Sequence, residues 1–390
     1  MRVGQALAPF LVVAIGLVPG PLDGQEALDE LIAASQAAHS DALFVMKGGE
    51  VLLDWSAAEP QPIEVMSALK SVVAIAVGRL LQDGLLDSLD QPVHSWYPEW
   101  KQGRKRNITI RHLMNHTSGL QNVLNAGEEI YPAPNAIQLA LAAELSDEPG
   151  ARFAYNNKAV NLLAGVIERA SGRRMDLYIQ ERVLGPLGID RYQWYFDRSG
   201  SPHAMAGLRL LARDLAKFGE LVLSGGERGG ERIVPEGFLD AMLRPGQAHY
   251  PLSGLLWWLY PAHQSVRIRP GALDSLGALA ARRNQISELA DRSFPSRDAA
   301  RSAFAAAWRG DPAAELGETW FDQVFEWQVG PTAAYYADGY LGQYLVVVPA
   351  HAVVAVRQVK RSASYDPESD GFAGFPALIA ELAPRLAARR

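Results

Sequence analysis

The spacing of apolar residues changes along the chain, and each spacing predicts a different element. Near the N-terminus, Leu28, Leu31, Ile32 and Ala33 recur close to helical spacing, so we expect a helix over residues 27–38. Short apolar runs bounded by glycine or proline predict strands instead. These runs are Ala42 to Met46, Val51 to Trp55, Leu255 to Tyr260, Tyr344 to Val348 and Val353 to Val359.

Helical patterns and loops fill the region between the first and the last predicted strands. Tyr178 to Leu184 and Ala212 to Leu223 predict helices that each end at a glycine, and Ala377 to Leu386 predicts a terminal helix. Strands near both ends of the chain indicate one sheet assembled from the two termini. We therefore expect an α/β (α+β) protein with an antiparallel sheet, flanking helices and an inserted helical lobe. The sheet-containing lobe is predicted over 25–84 and 246–390, and the helical lobe over 85–245.

A long segment, residues 262–327, interrupts the expected connection between two strands. It is rich in alanine and arginine, and we predict that it is helical. Its length exceeds that of an ordinary connecting loop, so it is either a lid or an added subdomain. Trp308, Trp320 and Trp327 lie in or beside this segment, and such aromatic residues more often pack in a core than bind a substrate.

Ser67 and Lys70 stand at the start of a helix predicted from about Ser67 to Asp83, which is apolar on nearly every face. Residues three apart share one face of a helix, and a serine hydroxyl needs a neighbouring base before it becomes a strong nucleophile. Burial and the helix N-terminus both lower the pKa of a lysine. The S-x-x-K spacing therefore predicts a nucleophile with a candidate base, although single matches also occur by chance.

A second polar group precedes the helical pattern Ala159 to Ile167. Tyr155 and Asn157 lie on the loop that leads into this helix. In a purely structural interpretation, Asn156 or Asn157 caps the helix N-terminus. In a functional interpretation, Tyr155 relays protons and the amide of Asn157 orients the lysine and the substrate.

Four segments of the chain carry a family resemblance. They are Ser67-Ala68-Leu69-Lys70, Ile110 to Leu120, Tyr155-Asn156-Asn157 and Ala337-Asp338-Gly339-Tyr340-Leu341-Gly342-Gln343. Jointly they resemble the serine hydrolases of the class C β-lactamase, DD-peptidase and esterase group, over most of residues 41–360. The resemblance implies the β-lactamase and penicillin-binding-protein architecture, with the active site in a cleft between two lobes. The 262–327 segment is atypical of that family.

The resemblance implies a serine hydrolase that forms an acyl-enzyme on Ser67 and hydrolyses an ester or amide bond. Lys70 and Tyr155 share the proton transfers in this interpretation, and which of them is the base stays open. A small ester, amide or peptide is the expected substrate, and no cofactor is expected. The alternatives are a catalytically silent penicillin-recognising or binding module, and a true β-lactamase.

The resemblance also assigns the substrate-binding residues. Asn157 is expected to hold the lysine and the substrate, and the backbone N–H of Tyr340 is expected to complete the oxyanion hole with that of the serine. Gly339 permits close approach of its strand to the substrate. Many members carry Lys-Thr-Gly or His-x-Gly where this chain has Ala337-Asp338-Gly339. Without that cation, we expect short uncharged esters or amides to be preferred over β-lactams.

Composition excludes several classes of binding partner and of metal site. The chain has 390 residues, 48% of them hydrophobic, which is typical of a globular protein. Its net charge of −6 argues against a nucleic-acid partner, and the lack of cysteine excludes disulfides and thiolate metal sites. His112 and His116 have a metal-ligand spacing, but Leu113 stands where the zincin motif has glutamate. We therefore expect no metal, and predict that these histidines cap or brace the turn at 117–119.

The N-terminus predicts export. Met1-Arg2 precedes an apolar stretch from Ala6 to Val18, which suits a secretory signal peptide over residues 1–24. A periplasmic or secreted location follows from this prediction. The alternative is an uncleaved apolar helix. No other segment has the length of a transmembrane helix, so no stable membrane span is expected after signal removal.

Overall fold

The computed structural model describes residues 24–387 except 124, 276, 278–281, 318–319 and 363. The predicted signal peptide lies almost wholly outside these residues. The described helices are α1 (Gly24–Ala37), α2 (Leu69–Gln82), α3 (Ile110–Met114), α4 (Ala126–Glu129), α5 (Ala136–Ala142), α6 (Asn157–Ser171), α7 (Met175–Ile179), α8 (Ala212–Leu223), α9 (Glu236–Met242), α10 (Ala272–Ser275), α11 (Arg283–Ile286), α12 (Arg297–Trp308), α13 (Pro312–Leu316), α14 (Trp320–Val324), α15 (Pro367–Asp370) and α16 (Phe375–Leu382). The strands are β1 (Ala42–Lys47), β2 (Glu50–Ser56), β3 (Ile63–Glu64), β4 (Gln193–Trp194), β5 (Leu208–Leu210), β6 (Glu227–Arg228), β7 (Glu231–Arg232), β8 (Trp258–Pro261), β9 (Gln264–Ile268), β10 (Ser293–Phe294), β11 (Phe325–Val329), β12 (Thr332–Gly339), β13 (Gln343–Val348) and β14 (Val353–Gln358).

The main sheet joins the two ends of the chain. Its strand order is β2-β1-β14-β13-β12-β8, and the N-terminal strand β1 pairs antiparallel with the C-terminal strand β14, Val45 facing Ala355. Every residue of β13 and β14 is buried, because apolar side chains pack on both faces of these strands. The predicted architecture, an antiparallel sheet flanked by helices with helices inserted between its strands, is confirmed.

Helix α2 lies inside the larger hydrophobic core. Its residues from Leu69 to Leu80 are all buried, as the apolar pattern predicts. A 3-10 turn, Met66–Ala68, precedes the helix, so the regular α-helix begins two residues after the predicted start. Met66 has a φ of +50°, a conformation that costs a side-chain-bearing residue free energy and is often found at functional sites.

Most of the other predicted helices and strands are present, although the terminal helix predicted at 377–386 is α16, which ends at Leu382. The helix predicted at 178–184 is α7 followed by a π-helical turn, Gln180–Leu184, and the one predicted at 212–223 coincides with α8. The strand predicted from Leu255 is wrong over its first half, because β8 begins only at Trp258. Leu256 has a φ of +59°, which interrupts an extended backbone, although its side chain is buried.

The chain divides into two compact units. Residues 249–251 and 261–332 form one of them, and the remaining described residues form the other. The smaller unit has a three-stranded antiparallel sheet, β10-β9-β11, so the prediction of a helical 262–327 segment is incomplete. Val266 and Ile268 are buried every second residue in β9, the period of a strand. Its core is built from Phe304, Trp308, Trp320, Phe321 and Phe325.

Arg357 on β14 is a fully buried guanidinium that joins distant parts of the larger unit. Its Nη2 donates to the carbonyls of Ala38 and Asp370, each at 2.6 Å, and its Nη1 donates to the carbonyl of Gly342 at 2.8 Å. Its Nε donates to Ser40 Oγ at 2.7 Å. Burial lowers the pKa of Arg357 to about 10. The guanidinium therefore stays charged at neutral pH and satisfies several buried acceptors at once.

We expect Arg357→Met to lower the free energy of unfolding by roughly 2–5 kcal/mol, because several buried acceptors lose their donor together. Urea unfolding measures the change. Arg244→Met is the control, since Arg244 is largely exposed and its ion pair with Asp240 is worth about 0–1 kcal/mol. Equal effects of the two substitutions would contradict the role assigned to Arg357.

Candidate active site

Ser67 and Lys70 are joined by a hydrogen bond. Ser67 is half-buried in the 3-10 turn, and Lys70 lies one turn further along in α2. The Nζ of Lys70 lies 2.8 Å from Ser67 Oγ and donates a second hydrogen bond, of 2.9 Å, to the carbonyl of Met205. The side-by-side placement predicted from the i, i+3 spacing is therefore present in the fold.

The environment of Lys70 favours its neutral form. The residue is 3% exposed, and burial lowers its pKa to about 7, while the carboxylate of Asp338 acts in the opposite direction. An amine with a pKa near neutrality is partly unprotonated at physiological pH. Lys70 can therefore accept the proton of the Ser67 hydroxyl, which an ordinary surface lysine cannot do.

Met205, whose carbonyl accepts from Lys70, is anchored through its backbone N–H by Asn161. The side-chain Oδ1 of Asn161, on α6, accepts the backbone N–H groups of Ala204 and Met205 at 3.0 and 3.2 Å. Asn161 is 1% exposed, so these bonds are shielded from water. Sequence reasoning missed both Asn161 and Met205, because no local motif relates them to Lys70.

Asn156 and Asn157 have different positions at the start of α6. Asn156 is the N-cap, since its Oδ1 accepts the N–H of Ala159 at 2.9 Å. Asn157 follows as the first helical residue and is buried, and its Oδ1 has no hydrogen-bond partner among the described residues. Lys70 is hydrogen-bonded to Ser67 and Met205 instead, so the role of Asn157 towards lysine and substrate stays a prediction.

Tyr155 lies on the other side of the serine. Its hydroxyl faces Ser67, and Lys70 Nζ lies 5.0 Å from the centre of its ring. Burial, helped by the charge of Asp338, raises the pKa of Tyr155 above its usual value, and the nearby Ser67 opposes this shift. The phenol therefore keeps its proton at neutral pH, whereas Lys70 is partly unprotonated.

The two histidines of the 110–120 segment, His112 and His116, make different hydrogen bonds. His112 caps α3, where its Nδ1 accepts the N–H of Thr109 at 3.1 Å. His116 is buried, and its Nδ1 accepts the N–H of Asn156 at 3.1 Å. Its ring centre lies 4.6 Å from that of Tyr155. Burial and, secondly, Lys70 lower the pKa of His116 to about 3, so it supports Tyr155 as a neutral ring.

Strand β12 passes directly beside the nucleophile. A Cβ atom at Gly339 would lie 2.4 Å from the carbonyl oxygen of Val65 and 3.1 Å from the backbone nitrogen of Ser67, so only glycine fits there. The strand ends in a turn closed by a 3.0 Å hydrogen bond from Gly342 N–H to the Gly339 carbonyl. Tyr340 lies within this turn with an exposed side chain.

Asp338 lines the cleft together with Ser67, Lys70, Tyr155 and Trp258. Its carboxylate accepts a short hydrogen bond from the indole Nε1 of Trp258. Burial raises the pKa of Asp338, and the Trp258 N–H and the charge of Lys70 act against the shift. The sequence had left open whether this carboxylate faces the cleft. Trp258 was not anticipated, because it belongs to a strand of the sheet without a recognised motif.

Comparison with known proteins gives the family. The family model described as Beta-lactamase matches residues 28–371, most of the chain, so the chain belongs to that family. The penicillin-binding protein from Bacillus halodurans has the same fold, with a TM-score of 0.59 and 18% identity over 89% of this chain and 99% of that one. The predicted resemblance and the β-lactamase and penicillin-binding-protein fold that it implies are confirmed.

Two curated relatives are named as hydrolytic enzymes. Esterase EstB of Burkholderia gladioli is 29% identical in an alignment of 317 residues that covers 65% of this chain and 76% of the esterase. The 6-aminohexanoate-dimer hydrolase of Paenarthrobacter ureafaciens is 25% identical in an alignment of 231 residues that covers 53% of this chain and 58% of that protein. Together with the family they support a hydrolytic enzyme.

Within the described residues, no helix combines the length and the apolar character needed to cross a membrane.

We expect Lys70→Met to raise the free energy of unfolding at pH 7 by about 1–4 kcal/mol, because a buried lysine folds at the cost of losing or desolvating its charge. The pKa of Lys70 is 10.5 in an ordinary environment and about 7 in the folded protein. Between these values the unfolded chain binds more protons than the folded one. The stability of the wild type therefore rises with pH across this window, and the variant lacks that rise.

Urea unfolding at several pH values between 7 and 10 measures this difference. Lys101→Met, which removes an exposed lysine, is the control and should follow the wild type. Parallel curves for the wild type and Lys70→Met would show that the pKa of Lys70 is not depressed.

Proposed function

We propose that the protein is a serine hydrolase that transfers an acyl group from an ester or amide to Ser67 and then to water. The observation that carries the proposal is the 2.8 Å hydrogen bond between Ser67 Oγ and Lys70 Nζ, an amine whose pKa is lowered to about 7. A nucleophile and a base that is unprotonated at working pH are the minimum that acyl transfer requires.

In the first half of the reaction, neutral Lys70 takes the proton of the Ser67 hydroxyl while Oγ bonds to the substrate carbonyl carbon. The carbonyl oxygen becomes an oxyanion. When it collapses, the bond to the leaving oxygen or nitrogen breaks, and that atom takes a proton. The acyl group then remains on Ser67 as an ester.

Tyr155 is suited to deliver the proton to the leaving group. Its raised pKa keeps the phenol protonated, and it lines the cleft beside Ser67. After giving its proton to the leaving atom, Tyr155 is reprotonated by the lysine. In the second half, water takes the place of the leaving group, its proton passes back through the same residues, and the acid is released. The result is one ester or amide and one water converted into an acid and an alcohol or amine.

The backbone N–H groups of Ser67 and Tyr340 are proposed to stabilise the oxyanion. Gly339 supports this assignment, since the lack of a side chain lets β12 lie against the turn that carries Ser67. Preorganised donors of this kind act only when charge develops on the substrate oxygen. Asn157, whose Oδ1 lacks a hydrogen-bond partner among the described residues, is proposed to bind the substrate beside them.

An ester or amide of modest size is the proposed substrate. Ala337 is 1% exposed and packs in the core, so position 337 places no cation in the cleft. Recognition of a carboxylate such as that of a β-lactam depends on a donor of that kind. The names of the two relatives, an esterase and a hydrolase of the 6-aminohexanoate dimer, agree with this class. A periplasmic or secreted location is proposed only from residues 1–24.

Ser67 is expected to carry the acyl group. Incubation with a fluorophosphonate should modify Ser67, because it is the hydroxyl hydrogen-bonded to a base, and peptide mass spectrometry locates the adduct. Ser67→Ala should lose both labelling and ester hydrolysis, while Ser71→Ala serves as the control, since its hydroxyl donates to the carbonyl of Leu256. Activity retained in Ser67→Ala would exclude this mechanism, and a protein that never labels would favour the silent binding module.

Tyr155→Phe is expected to lower kcat by roughly 10²–10⁴-fold, because it removes one positioned proton-transfer group. The phenyl ring keeps the contacts with His116 and Trp258, so the unfolding midpoint should change little. Steady-state kinetics with a p-nitrophenyl ester measures the loss, and Tyr195→Phe, at an exposed tyrosine, is the control. A kcat within a few-fold of the wild type would make Tyr155 a structural residue.

A further inference from the structure

The cleft contains a carboxylate beside an aromatic wall. The Asp338 side chain is half-buried and accepts the indole N–H of Trp258. The Trp258 ring stacks on Tyr155 and on Tyr336, with ring centres 6.2 and 6.5 Å away, and meets Phe153 edge-on at 6.4 Å. All four rings are partly exposed. Aromatic faces together with a carboxylate are the environment in which proteins bind ammonium groups.

Asp338 is the one acidic side chain that lines this cleft in the part of the chain that the structure describes, and the charge of Lys70 favours its ionised form against the effect of burial. His116 and Tyr155 are neutral near pH 7, since the pKa of the first is lowered to about 3 and that of the second is raised. Tyr344, opposite Asp338 on β13, is also neutral because burial raises its pKa, and Lys70 is mostly neutral above its pKa of about 7. A cationic substrate favours ionised Asp338, whereas an anionic substrate meets a group of its own sign.

Asp338 also lines the same cleft as Tyr155. Trp258 connects it to Tyr155, the residue proposed to protonate the leaving atom. In the same strand, the neighbouring Gly339 lies against the Ser67 turn. A substituent on the alcohol or amine side of the scissile bond therefore passes close to the carboxylate and the aromatic rings.

We propose that Asp338 and the rings of Trp258 and Tyr155 select substrates with a cationic leaving group, a protonated or quaternary amine attached to the alcohol or amine side of the scissile bond. This assignment rests on the proposed function and names its substrate class. A charge-assisted contact of this kind changes kcat/KM by roughly 10–100-fold between a cation and a neutral group of the same shape.

Three thioacetates test the proposal. The first is acetylthiocholine, the second its carbon isostere with a tert-butyl group in place of trimethylammonium, and the third carries a carboxylate on a leaving thiol of similar length. A thiol reagent follows the released product without interference, because the chain has no cysteine. At pH 8, where Lys70 is mostly neutral, the expected order of kcat/KM is cationic, then neutral, then anionic.

Asp338→Asn should bring the ratio of kcat/KM for the cationic and neutral thioesters to within about threefold of one, since the amide keeps the shape but removes the charge. Asp87→Asn, which removes the same charge from an exposed position outside the cleft, should keep the wild-type ratio. If Asp338→Asn does not fold, the wild-type ratios alone decide.

Two failures can be told apart. Hydrolysis of all three thioesters with similar kcat/KM, or a preference for the carboxylate, overturns the role of Asp338 and leaves the serine hydrolase assignment in place. A cation preference that survives in Asp338→Asn likewise overturns it. If none of the three is hydrolysed and the fluorophosphonate does not label Ser67, the proposed function itself fails.

Discussion

The close approach of strand β12 to the turn that carries Ser67 is the constraint on which the site depends. No side chain fits at Gly339, because a Cβ atom there would overlap the carbonyl oxygen of Val65 at 2.4 Å. This contact sets strand β12 against the turn that precedes the buried helix α2, and the next residue, Tyr340, is the one whose backbone N–H is proposed to complete the oxyanion hole. Arg357 stabilises the turn that follows β12 through its hydrogen bond to the carbonyl of Gly342. The core packing and the proposed catalytic geometry therefore share one contact.

Stability and activity make opposite demands on Lys70. The hydrophobic surroundings of α2 stabilise the fold, but they also enclose an amine that ionises readily in water. Its lowered pKa, about 7, is the energetic consequence of that burial. Asp338 moderates the effect, because its charge favours the protonated lysine. The same carboxylate lines the cleft, so in the proposed mechanism one residue influences both the base and the charge of the preferred substrate. The burial that destabilises the charged form of Lys70 is therefore also what suits its amine to act on Ser67 in the proposed mechanism.

Much of the fold could be predicted from local patterns. Helix α8 matches its predicted limits, and the buried helix after Ser67 was evident from its unbroken apolar run. The hairpin near the N-terminus and the paired C-terminal strands also followed from short apolar segments. Prediction failed where local pattern and backbone disagreed. Leu256 is apolar and buried but has a φ of +59°, and the strands of the 262–327 segment were hidden in an alanine- and arginine-rich composition.

The sequence by itself determined the pair Ser67 and Lys70, because an i, i+3 relation on a helix is a local property of the chain. The sequence also showed that segment 337–339 contains an aspartate and a glycine but no cationic residue. Only the tertiary structure decided what surrounds that pair. The carbonyl that holds Lys70 belongs to Met205, 135 residues away, and the indole that holds Asp338 is 80 residues distant from it. Periodicity reports the face that a residue presents, whereas pKa values and hydrogen-bond partners depend on which distant segments pack against that face.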